Sequence, residues 1–445
     1  MAARRLRLAY AKARIVVIEK SATFGGLLGG VSYPDRDLYF DLGTHIFQET
    51  GDPSIDIFLQ ESLAPDNLIL LPPDGGDLAG SVFEGKIQAN SHFPDLRGHD
   101  KHGAVANSVR NHAEGESPVP NIERSMPLLA AAKLRFGSLY AETVLGPMLE
   151  HVYAYPASNL SAFAMALPGL TRIIIDDRAS WMQQSKHPRY RSIVGYPEQR
   201  ELPRHFRHAR RSFYSRSSGS RALVDGVADW LTQAGVELLA DTAIESIDLG
   251  TRSVVFSARG GGCRRLDAHG IVLSIGAIGA AHLLGLNLDP FGFDPPMPHW
   301  VVNLQLSQPC RSDLCYAYGL DVGCDWYRMT NYRAFSGNSQ DCRLTLEVIG
   351  NRQISPTALP KLLVEQLRSC GVLQDSGIEF CDVRRLPAGF PSPTTRNMRA
   401  MGALAQSIQT MLPSRVLLGG IGSQPGLFFQ NEVITDIYRR VGFIL

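Results

Sequence analysis

The sequence predicts an α/β protein in which a discontinuous domain of the nucleotide-binding type alternates along the chain with a second, α+β domain. Strand–turn–helix units occur at the start, in the middle and at the end of the 445-residue chain, as expected of a parallel sheet with crossover helices. Between them, residues 299–350 alternate apolar and polar side chains, which is typical of antiparallel strands. A chain of this length is expected to form two or three domains.

The α/β units follow from local residue patterns, taken in chain order. Residues 14–20, RIVVIEK, are a short β-branched apolar run bounded by turn residues, which is typical of a buried parallel strand. Within residues 220–249, apolar residues recur at helical spacing until Gly235 ends the helix, and two strand-like runs follow. The remaining parts of these units are predicted as strands at 253–258, 269–276 and 415–422 and as a helix at 427–440.

The second domain is predicted from the segments between these units. Residues 126–183 and 359–371 have helical patterns, whereas residues 90–125 are polar, have no apolar period and are predicted to form a long loop. The predicted boundaries place residues 1–70, 212–290 and 386–445 in the nucleotide-binding domain and residues 71–211 and 291–385 in a substrate-binding domain.

Composition excludes several classes of function. The formal net charge is +1, so no electrostatic case exists for binding nucleic acid or an anionic membrane. No apolar run reaches the about 20 residues that a membrane helix needs. Seven cysteines without a C-x-x-C spacing predict reduced thiols in a cytoplasmic protein, with no zinc site and no disulfide frame. Residues 1–14 have the Arg- and Ala-rich composition of a transit peptide, but the basic surface of a helix is the favoured interpretation.

A carboxylate and a glycine-rich turn follow the first predicted strand. Glu19 closes that strand, where an acid can accept hydrogen bonds from ribose hydroxyls; taken alone, it is better explained as a solvated strand-end carboxylate. The following FGGLLGG offers backbone N–H groups with no Cβ in the way, so that a phosphate or a ring system can approach closely. Residues 39–49, YFDLGTHIFQE, then form a strand that carries an Asp and ends in a glycine, with Thr44 and His45 just beyond it.

VVIEK, GGLLGG and FDLGTHIF, in this order, resemble the start of FAD-dependent oxidoreductases of the amine oxidase and protoporphyrinogen oxidase type, a superfamily that includes UDP-galactopyranose mutase. The resemblance implies a discontinuous Rossmann-like FAD-binding domain plus an α+β substrate domain with an antiparallel sheet. It also implies that the acid binds the adenosine ribose, that the Gly-Gly turn borders FAD and that the Gly-x-His turn lies beside the isoalloxazine ring. The cofactor contacts implied in this part of the chain are Glu19, Lys20, Gly25, Gly26, Leu27, Gly43, Thr44 and His45.

Three later stretches match the superfamily in the expected order. SFYSRSSGSRALVDGVADWL is similar to its Y-P-x-G-G-x-x-x-L helix entry, with Ser215 and Ser220 in place of the proline and the second glycine. TAIESID resembles T-x-V-x-x-I, where a backbone group meets the adenine, and has Ile244 at the valine position. RVLLGGIGSQPGLFFQNEVITDIYRR resembles the closing strand, glycines and helix, and the helix N-terminus would stabilise negative charge on a reduced flavin. The contacts implied in this closing segment are Gly420, Gly422, Gly426 and Leu427.

The superfamily normally begins one strand earlier, with a G-x-G-x-x-G loop around the pyrophosphate, whereas residues 1–13 contain no glycine. Residues 273–279, LSIGAIG, lack the full motif and are explained by a strand-to-helix turn. Either this sequence starts after that strand or the loop is lost. For an N-terminally truncated FAD-binding domain we expect poor or no binding of FAD, because the amides that neutralise the pyrophosphate would be missing.

Candidate catalytic residues are few. His45 is the first candidate for contact with the flavin, and a structural role at the strand end is an equal alternative. The arginines of residues 184–211 could grip an acidic or phosphorylated substrate, but a solvated basic loop is the favoured interpretation. Further candidates on the substrate side, each with a structural alternative, are Tyr153, Tyr155, Asn331, Tyr332 and Arg333.

The leading functional hypothesis is an FAD-dependent oxidoreductase that moves a hydride from a small-molecule substrate to flavin N5. The alternatives are a UDP-galactopyranose mutase-like isomerase that uses reduced FAD without net oxidation, and an inactive homologue. The sequence leaves the substrate, the electron acceptor and the oligomeric state open. Motifs for a zinc protease, an NTPase and a hydrolase are absent from the sequence.

Overall fold

The computed structural model describes residues 1–71, 79–115, 121–207, 210–350 and 354–443. Parts of the predicted loop (116–120) and of the basic segment (208–209) lie outside the described residues. The chain divides into two compact units, each discontinuous in sequence. The first unit comprises residues 1–69, 212–293 and 397–445, and the second comprises residues 70–211 and 294–396.

The first unit contains short strands and six helices among its described residues. The helices are Ala2–Ala9, Pro53–Glu61, Gly219–Gln233, Gly276–Leu283, Thr395–Met411 and Gln430–Arg440. The strands are Val16–Ile18, Val31–Tyr33, Leu38–Phe40, Phe47–Gln48, Leu68–Leu71, Ser212–Ser215, Glu237–Leu239, Thr242–Asp248, Ser253–Ala258, Cys263–Asp267, Ile271–Leu273 and Val416–Leu418. The helix that starts at Gly219 ends where predicted, because Gly235 adopts a φ of +75° that side chains rarely tolerate.

Two parallel strand pairs form the α/β part of the first unit. Val16–Ile18 pairs with Glu237–Leu239, and Ile271–Leu273 pairs with Val416–Leu418. The parallel direction agrees with the predicted α/β units. The described residues supply no strand that joins the two pairs, so the continuous sheet of a Rossmann-like domain stays a prediction. A separate antiparallel sheet contains Thr242–Asp248 and the two strands that follow it.

The core of the first unit lies around the second parallel pair. Val254, Phe256, Leu273 and Leu418 are buried there together with the small residues of helix Gly276–Leu283. At the N-terminus, the helix predicted from the basic first residues is present. The Arg4 guanidinium lies 4.1 Å from the ring centroid of Phe58 and donates to the Tyr438 hydroxyl at 3.0 Å, which ties this helix to the last one.

The second unit combines helices with one large sheet. Its helices are His102–Ala113, Leu128–Phe136, Ser138–Tyr140, the π-helical Ala141–Leu145, Gly146–Tyr153, Phe163–Ala166, Arg178–Gln184, Pro188–Ile193, Tyr332–Ser336 and Leu359–Ser369. The sheet has seven strands, in the spatial order Ile378–Arg385, His299–Leu306, Arg343–Ile349, Arg328–Asn331, Tyr316–Gly319, Ala79–Phe83 and Lys86–Gln88.

Two expectations about the second unit are corrected. The sheet is mixed and not purely antiparallel, because strand Ala79–Phe83, which the sequence pattern did not indicate, runs parallel to Tyr316–Gly319. The predicted loop over residues 90–125 contains helix His102–Ala113. This helix buries Val105, Ala106, Val109 and Ala113, a stripe of small residues that is too weakly apolar to stand out in a polar segment.

The two faces of the seven-stranded sheet differ in chemistry. One face buries Val302, Leu304 and Leu346 under helix Leu359–Ser369. Residues on the opposite face are polar and yet buried, among them Asn303 and Glu347, which are 0% and 2% exposed. Buried polar groups of this kind are destabilising unless each has a hydrogen-bond or ionic partner. The polar face therefore favours the one strand register that brings these partners together.

All seven cysteines are free, and four of them are buried. Within the described ranges, no group of three or more His, Cys, Asp and Glu side chains could hold a metal ion. In the same part of the chain, no helix has the length and apolar character needed to cross a membrane.

Candidate functional site

A buried carboxylate organises the predicted cofactor residues of the first unit. Asp41 is 0% exposed and accepts hydrogen bonds from the hydroxyls of Tyr39 and Tyr214 and from the backbone and side chain of Ser220. A Cβ added to Gly219 would lie 2.6 Å from the Asp41 carboxylate, so only glycine allows the helix to begin this close. Residues 39–41 and residues 214–220, two segments that are distant in sequence, therefore meet at one acid.

The Gly25–Gly26 turn is held by this arrangement. The Ser220 hydroxyl, which has one proton, lies 2.8 Å from the Leu28 carbonyl oxygen as well as 2.7 Å from Asp41, and a Cβ on Gly25 would lie 2.7 Å from Val224 of the same helix. Gly25 and Gly26 have φ values of +102° and +56°, in the left-handed region that favours glycine. Nothing lies within 4 Å of where a Cβ would stand on Gly26, and Leu27 is 53% exposed. The turn is thus fixed from one side and open on the other.

Glu19 lies where the sequence predicts, at the end of the first strand. Its Oε1 accepts a hydrogen bond from the Ser21 amide at 2.8 Å. No described residue donates to its Oε2, and Lys20 beside it is exposed. The Thr242 amide donates to the Glu19 carbonyl at 2.9 Å, so the strand that carries Ile244 begins directly beside this acid. The predicted ribose and adenine contacts are therefore neighbours.

His45 is brought together with the start of the last helix. Its Nδ1 lies 3.4 Å from the side-chain nitrogen of Gln430, the first residue of helix Gln430–Arg440. Gly43 precedes it with a φ of +111°, and both Gly43 and Thr44 are buried. Among the described residues, no hydrogen bond or ion pair joins Glu19 to this turn.

The closing segment is more self-contained than predicted. The Gly422 amide donates to the Leu427 carbonyl at 2.9 Å, and the Leu427 amide donates to the Gln424 carbonyl at 3.1 Å. The amides of Phe428 and Phe429 donate to the Glu432 carboxylate at 3.3 and 3.0 Å. These N–H groups, which the sequence suggests for an anionic flavin edge, are engaged within the chain.

Glycine packing explains two further positions. Gly420 has a φ of +91°, and a Cβ there would lie 2.8 Å from the Gly276 nitrogen. In the same way, a Cβ on Gly276 would lie 2.8 Å from the Ile421 carbonyl oxygen. The glycines of residues 273–279 thus permit a close crossing of two strand ends, which agrees with the strand-to-helix turn predicted for them. Gly426, with a φ of +77°, shapes the loop before the last helix.

The substrate-side candidates mostly bind the chain around them. Tyr153 is fully buried and donates to the Ala164 carbonyl at 3.0 Å, whereas Tyr155 is half-buried. The Asn331 side chain donates to two backbone carbonyls, at 2.8 and 3.0 Å. Tyr332 lies 3.0 Å from the Thr345 hydroxyl, and Arg333 donates to the Cys310 carbonyl at 3.1 Å. Structural roles account for these contacts.

Sequence reasoning missed a buried ionic cluster on the polar face of the sheet. Arg328 donates to both oxygens of Glu347, at 2.7 and 3.1 Å, and His299 Nε2 lies 3.4 Å from Glu347. Burial alone would raise the pKa of Glu347, but the charge of Arg328 holds it well below its usual range. An alternating strand with a single acid, LTLEVIG, was the one signal available in the sequence.

No family model matches the sequence, and no curated protein matches it. Solved structures do match over nearly the whole chain. Reduced UDP-galactopyranose mutase is 15% identical, with 99% of this chain and 91% of that chain covered and a TM-score of 0.71. The chain has the fold of this mutase.

Two further solved structures resemble this chain in fold. A candidate protoporphyrinogen oxidase from Exiguobacterium sp. 255-15 is 15% identical, covers 99% of this chain and 95% of its own length, and has a TM-score of 0.65. Cyclohexylamine oxidase from Brevibacterium oxydans IH-35A is 11% identical, covers 99% and 97%, and has a TM-score of 0.57. The resemblance predicted from the sequence is confirmed for the fold.

Proposed function

We propose that this protein is an FAD-dependent oxidoreductase that removes a hydride from a small-molecule substrate. The observation that carries the proposal is the Gly25–Gly26 turn, which the Asp41 cluster holds rigidly while its outer side stays open. Supporting it are the fold shared with two oxidases over 99% of this chain and the motif order in the sequence. A rigid glycine turn with open space is what a close approach of a flat ring system requires.

The residues of the first unit fit an extended dinucleotide. Glu19 has one carboxylate oxygen fixed by Ser21 and one without a donor among the described residues, which suits a ribose hydroxyl. The exposed Gly26 and Leu27 offer a backbone surface and an apolar side chain for a ring. His45 and Gln430 form a polar pair that would orient the far end of the cofactor.

When bound, FAD would supply a hydride acceptor. The chain's part is to hold and orient: Glu19 binds the ribose, and the Gly25–Gly26 turn supports the ring system from one side. Glu432 caps the amides of Phe428 and Phe429 and adds a negative charge there, so we propose that this helix start positions His45 through Gln430 rather than binding an anion itself.

A UDP-galactopyranose mutase-like isomerase is the second candidate. The mutase structure has a TM-score of 0.71 against 0.65 and 0.57 for the two oxidases. Protection of the protein by UDP-sugars against thermal unfolding would favour the isomerase, whereas bleaching of a bound flavin by amines would favour the oxidase. An inactive homologue would show no flavin spectrum after incubation with FAD.

We expect the variant Glu19→Gln to weaken FAD binding about tenfold, because a hydrogen bond to a charged acceptor contributes about 1.5 kcal/mol or more. The measurement is quenching of flavin fluorescence as purified protein is titrated into FAD, with absorbance as an independent readout. The matched control is Glu237→Gln on the paired strand, where the side chain binds the exposed Arg14 and no other described side chain. Equal affinities of the two variants would remove the assigned role of Glu19, and no binding by the wild type would favour the inactive homologue.

A further inference from the structure

Three arginines of the second unit donate hydrogen bonds to backbone carbonyls between residues 171 and 192. Arg135 donates to the carbonyls of Thr171 and Ser192, at 2.6 and 2.7 Å. Arg172 donates through Nε to the Arg191 carbonyl at 3.1 Å, and Arg191 donates through Nη1 to the Ser185 carbonyl at 2.8 Å. Every acceptor is a neutral main-chain oxygen. The three guanidinium groups are therefore held in place without losing their positive charge.

Several other partly buried arginines of this unit have a carboxylate partner, whereas Arg333 donates to backbone carbonyls. Arg110 lies 2.5 Å from Asp176, and Arg328 lies 2.7 Å from Glu347. Among the described residues, no Asp or Glu oxygen lies within 4.0 Å of Arg135, Arg172 or Arg191. Each guanidinium instead lies over an aromatic ring, at 5.7 Å (Arg135), 5.8 Å (Arg172) and 5.5 Å (Arg191) from the ring centroid. These like charges therefore have aromatic faces and carbonyl oxygens as partners but no carboxylate among the described residues.

The electrostatics agree with the contacts. Burial, reinforced by the charge of Arg172, lowers the pKa of Arg135 to about 10. Burial also lowers the pKa of Arg172, and the charge of Arg191 lowers it further. The positive charge of Arg172 thus acts on Arg135, and the positive charge of Arg191 acts on Arg172.

Several N–H groups of the cluster remain available. Within the described ranges, no acceptor binds Nη1 or Nη2 of Arg172, Nε or Nη2 of Arg191, or Nη1 of Arg135. None of these atoms is fully buried. Paired N–H groups of a guanidinium match the oxygens of phosphate and carboxylate groups.

We propose that Arg135, Arg172 and Arg191 form an oxyanion site that takes a phosphate or carboxylate group of a small molecule. Arg172 and Arg191 contact the anion, and Arg135 positions the backbone that carries them. The site lies wholly within the second unit and does not depend on flavin binding. It also revises the interpretation of residues 184–211 as a merely solvated loop, since Arg191 is half-buried.

The test is calorimetric titration of the whole protein with inorganic phosphate and, separately, with acetate, at constant ionic strength. We expect the wild type to bind at least one of the two anions, and Arg172→Gln and Arg191→Gln each to weaken that binding at least tenfold. Tighter binding of phosphate identifies a phosphate ligand, and tighter binding of acetate identifies a carboxylate ligand. The control is Arg178→Gln, whose arginine is exposed and paired with Glu201, and it should bind as the wild type does.

Absence of binding by the wild type would overturn the proposal, as would variants that fold and bind normally. If Arg172→Gln does not fold, the result for Arg191→Gln decides, because among the described residues the Arg191 side chain donates one hydrogen bond, to the Ser185 carbonyl, and otherwise contacts the Phe206 ring. Variants that lose stability while phosphate binding is unchanged would show that the cluster only fastens the backbone.

Discussion

Replacing Asp41 by alanine is expected to lower the free energy of unfolding by about 4 kcal/mol, since each buried donor left unsatisfied costs about 1–3 kcal/mol. The hydroxyls of Tyr39 and Tyr214 and the backbone N–H of Ser220 would lose their acceptor. The start of the helix that carries Ser220, whose hydroxyl contacts the Leu28 carbonyl, would lose this anchor. We therefore expect the Gly25–Gly26 turn to loosen together with the core.

The measurement is urea denaturation followed by circular dichroism. The matched control is Asp35→Ala, since Asp35 is an exposed acid of the neighbouring turn, and its effect should stay within about 0.5 kcal/mol. A second readout is digestion by protease near residues 25–28, which should quicken for Asp41→Ala alone. Equal stability of the two variants would show that the buried carboxylate is not what holds these segments.

Replacing Glu347 by glutamine is expected to destabilise the second unit by about 4 kcal/mol, because removing one partner of a buried ion pair leaves the other charge uncompensated. Glu347 is 2% exposed and binds Arg328 through both oxygens. The amide keeps the shape of the carboxylate, so the loss reports charge and not packing.

The matched control is the double variant Arg328→Met/Glu347→Leu. Exchanging a whole buried pair for apolar residues is often neutral, so we expect the double variant to be more stable than Glu347→Gln alone. A double variant that is less stable than the single one would contradict this account. Urea denaturation of all three proteins at neutral pH supplies the comparison.

The pairing of Glu347 with Arg328 makes the stability of the protein depend on pH in the acid range. In the folded state the pKa of Glu347 lies below its ordinary value of 4.5 because Arg328 favours the charged form. The unfolded state therefore binds this proton first as the pH falls, and the stabilisation, complete above about pH 5, is lost progressively below pH 4.5. Wild-type stability measured between pH 7 and pH 3 should show this decline, and Glu347→Gln should lack this part of it.

Local patterns were sufficient for much of the fold. The helix ending before Gly235 and the strand at Ser253–Ala258 lie where the sequence predicts them, because apolar spacing and turn glycines are local properties. Helix His102–Ala113 was missed because its buried stripe consists of small residues. Strand Ala79–Phe83 was missed because its place depends on pairing with Tyr316–Gly319, far along the chain.

The candidate site shows the same division. Glu19, Gly26 and His45 could be found from the sequence because an acid after a strand, a glycine pair and a histidine turn are short motifs. The pairing of Arg328 with Glu347 depends on the register of two antiparallel strands. A shift of one strand by one residue would move its side chains to the opposite face of the sheet and separate the pair. The arginine cluster likewise depends on which carbonyls and carboxylates lie near each guanidinium.

The sequence by itself determined which short segments become strands, turns and helices, and which residue types could touch a dinucleotide. Only the tertiary structure decided that Asp41 binds Tyr39, Tyr214 and Ser220 and that Glu347 pairs with Arg328. It also decided that Arg172 binds a backbone carbonyl and no carboxylate among the described residues. The reason is physical: backbone propensity and apolar periodicity act over a few residues, whereas hydrogen bonds and charge compensation depend on where distant segments meet in space.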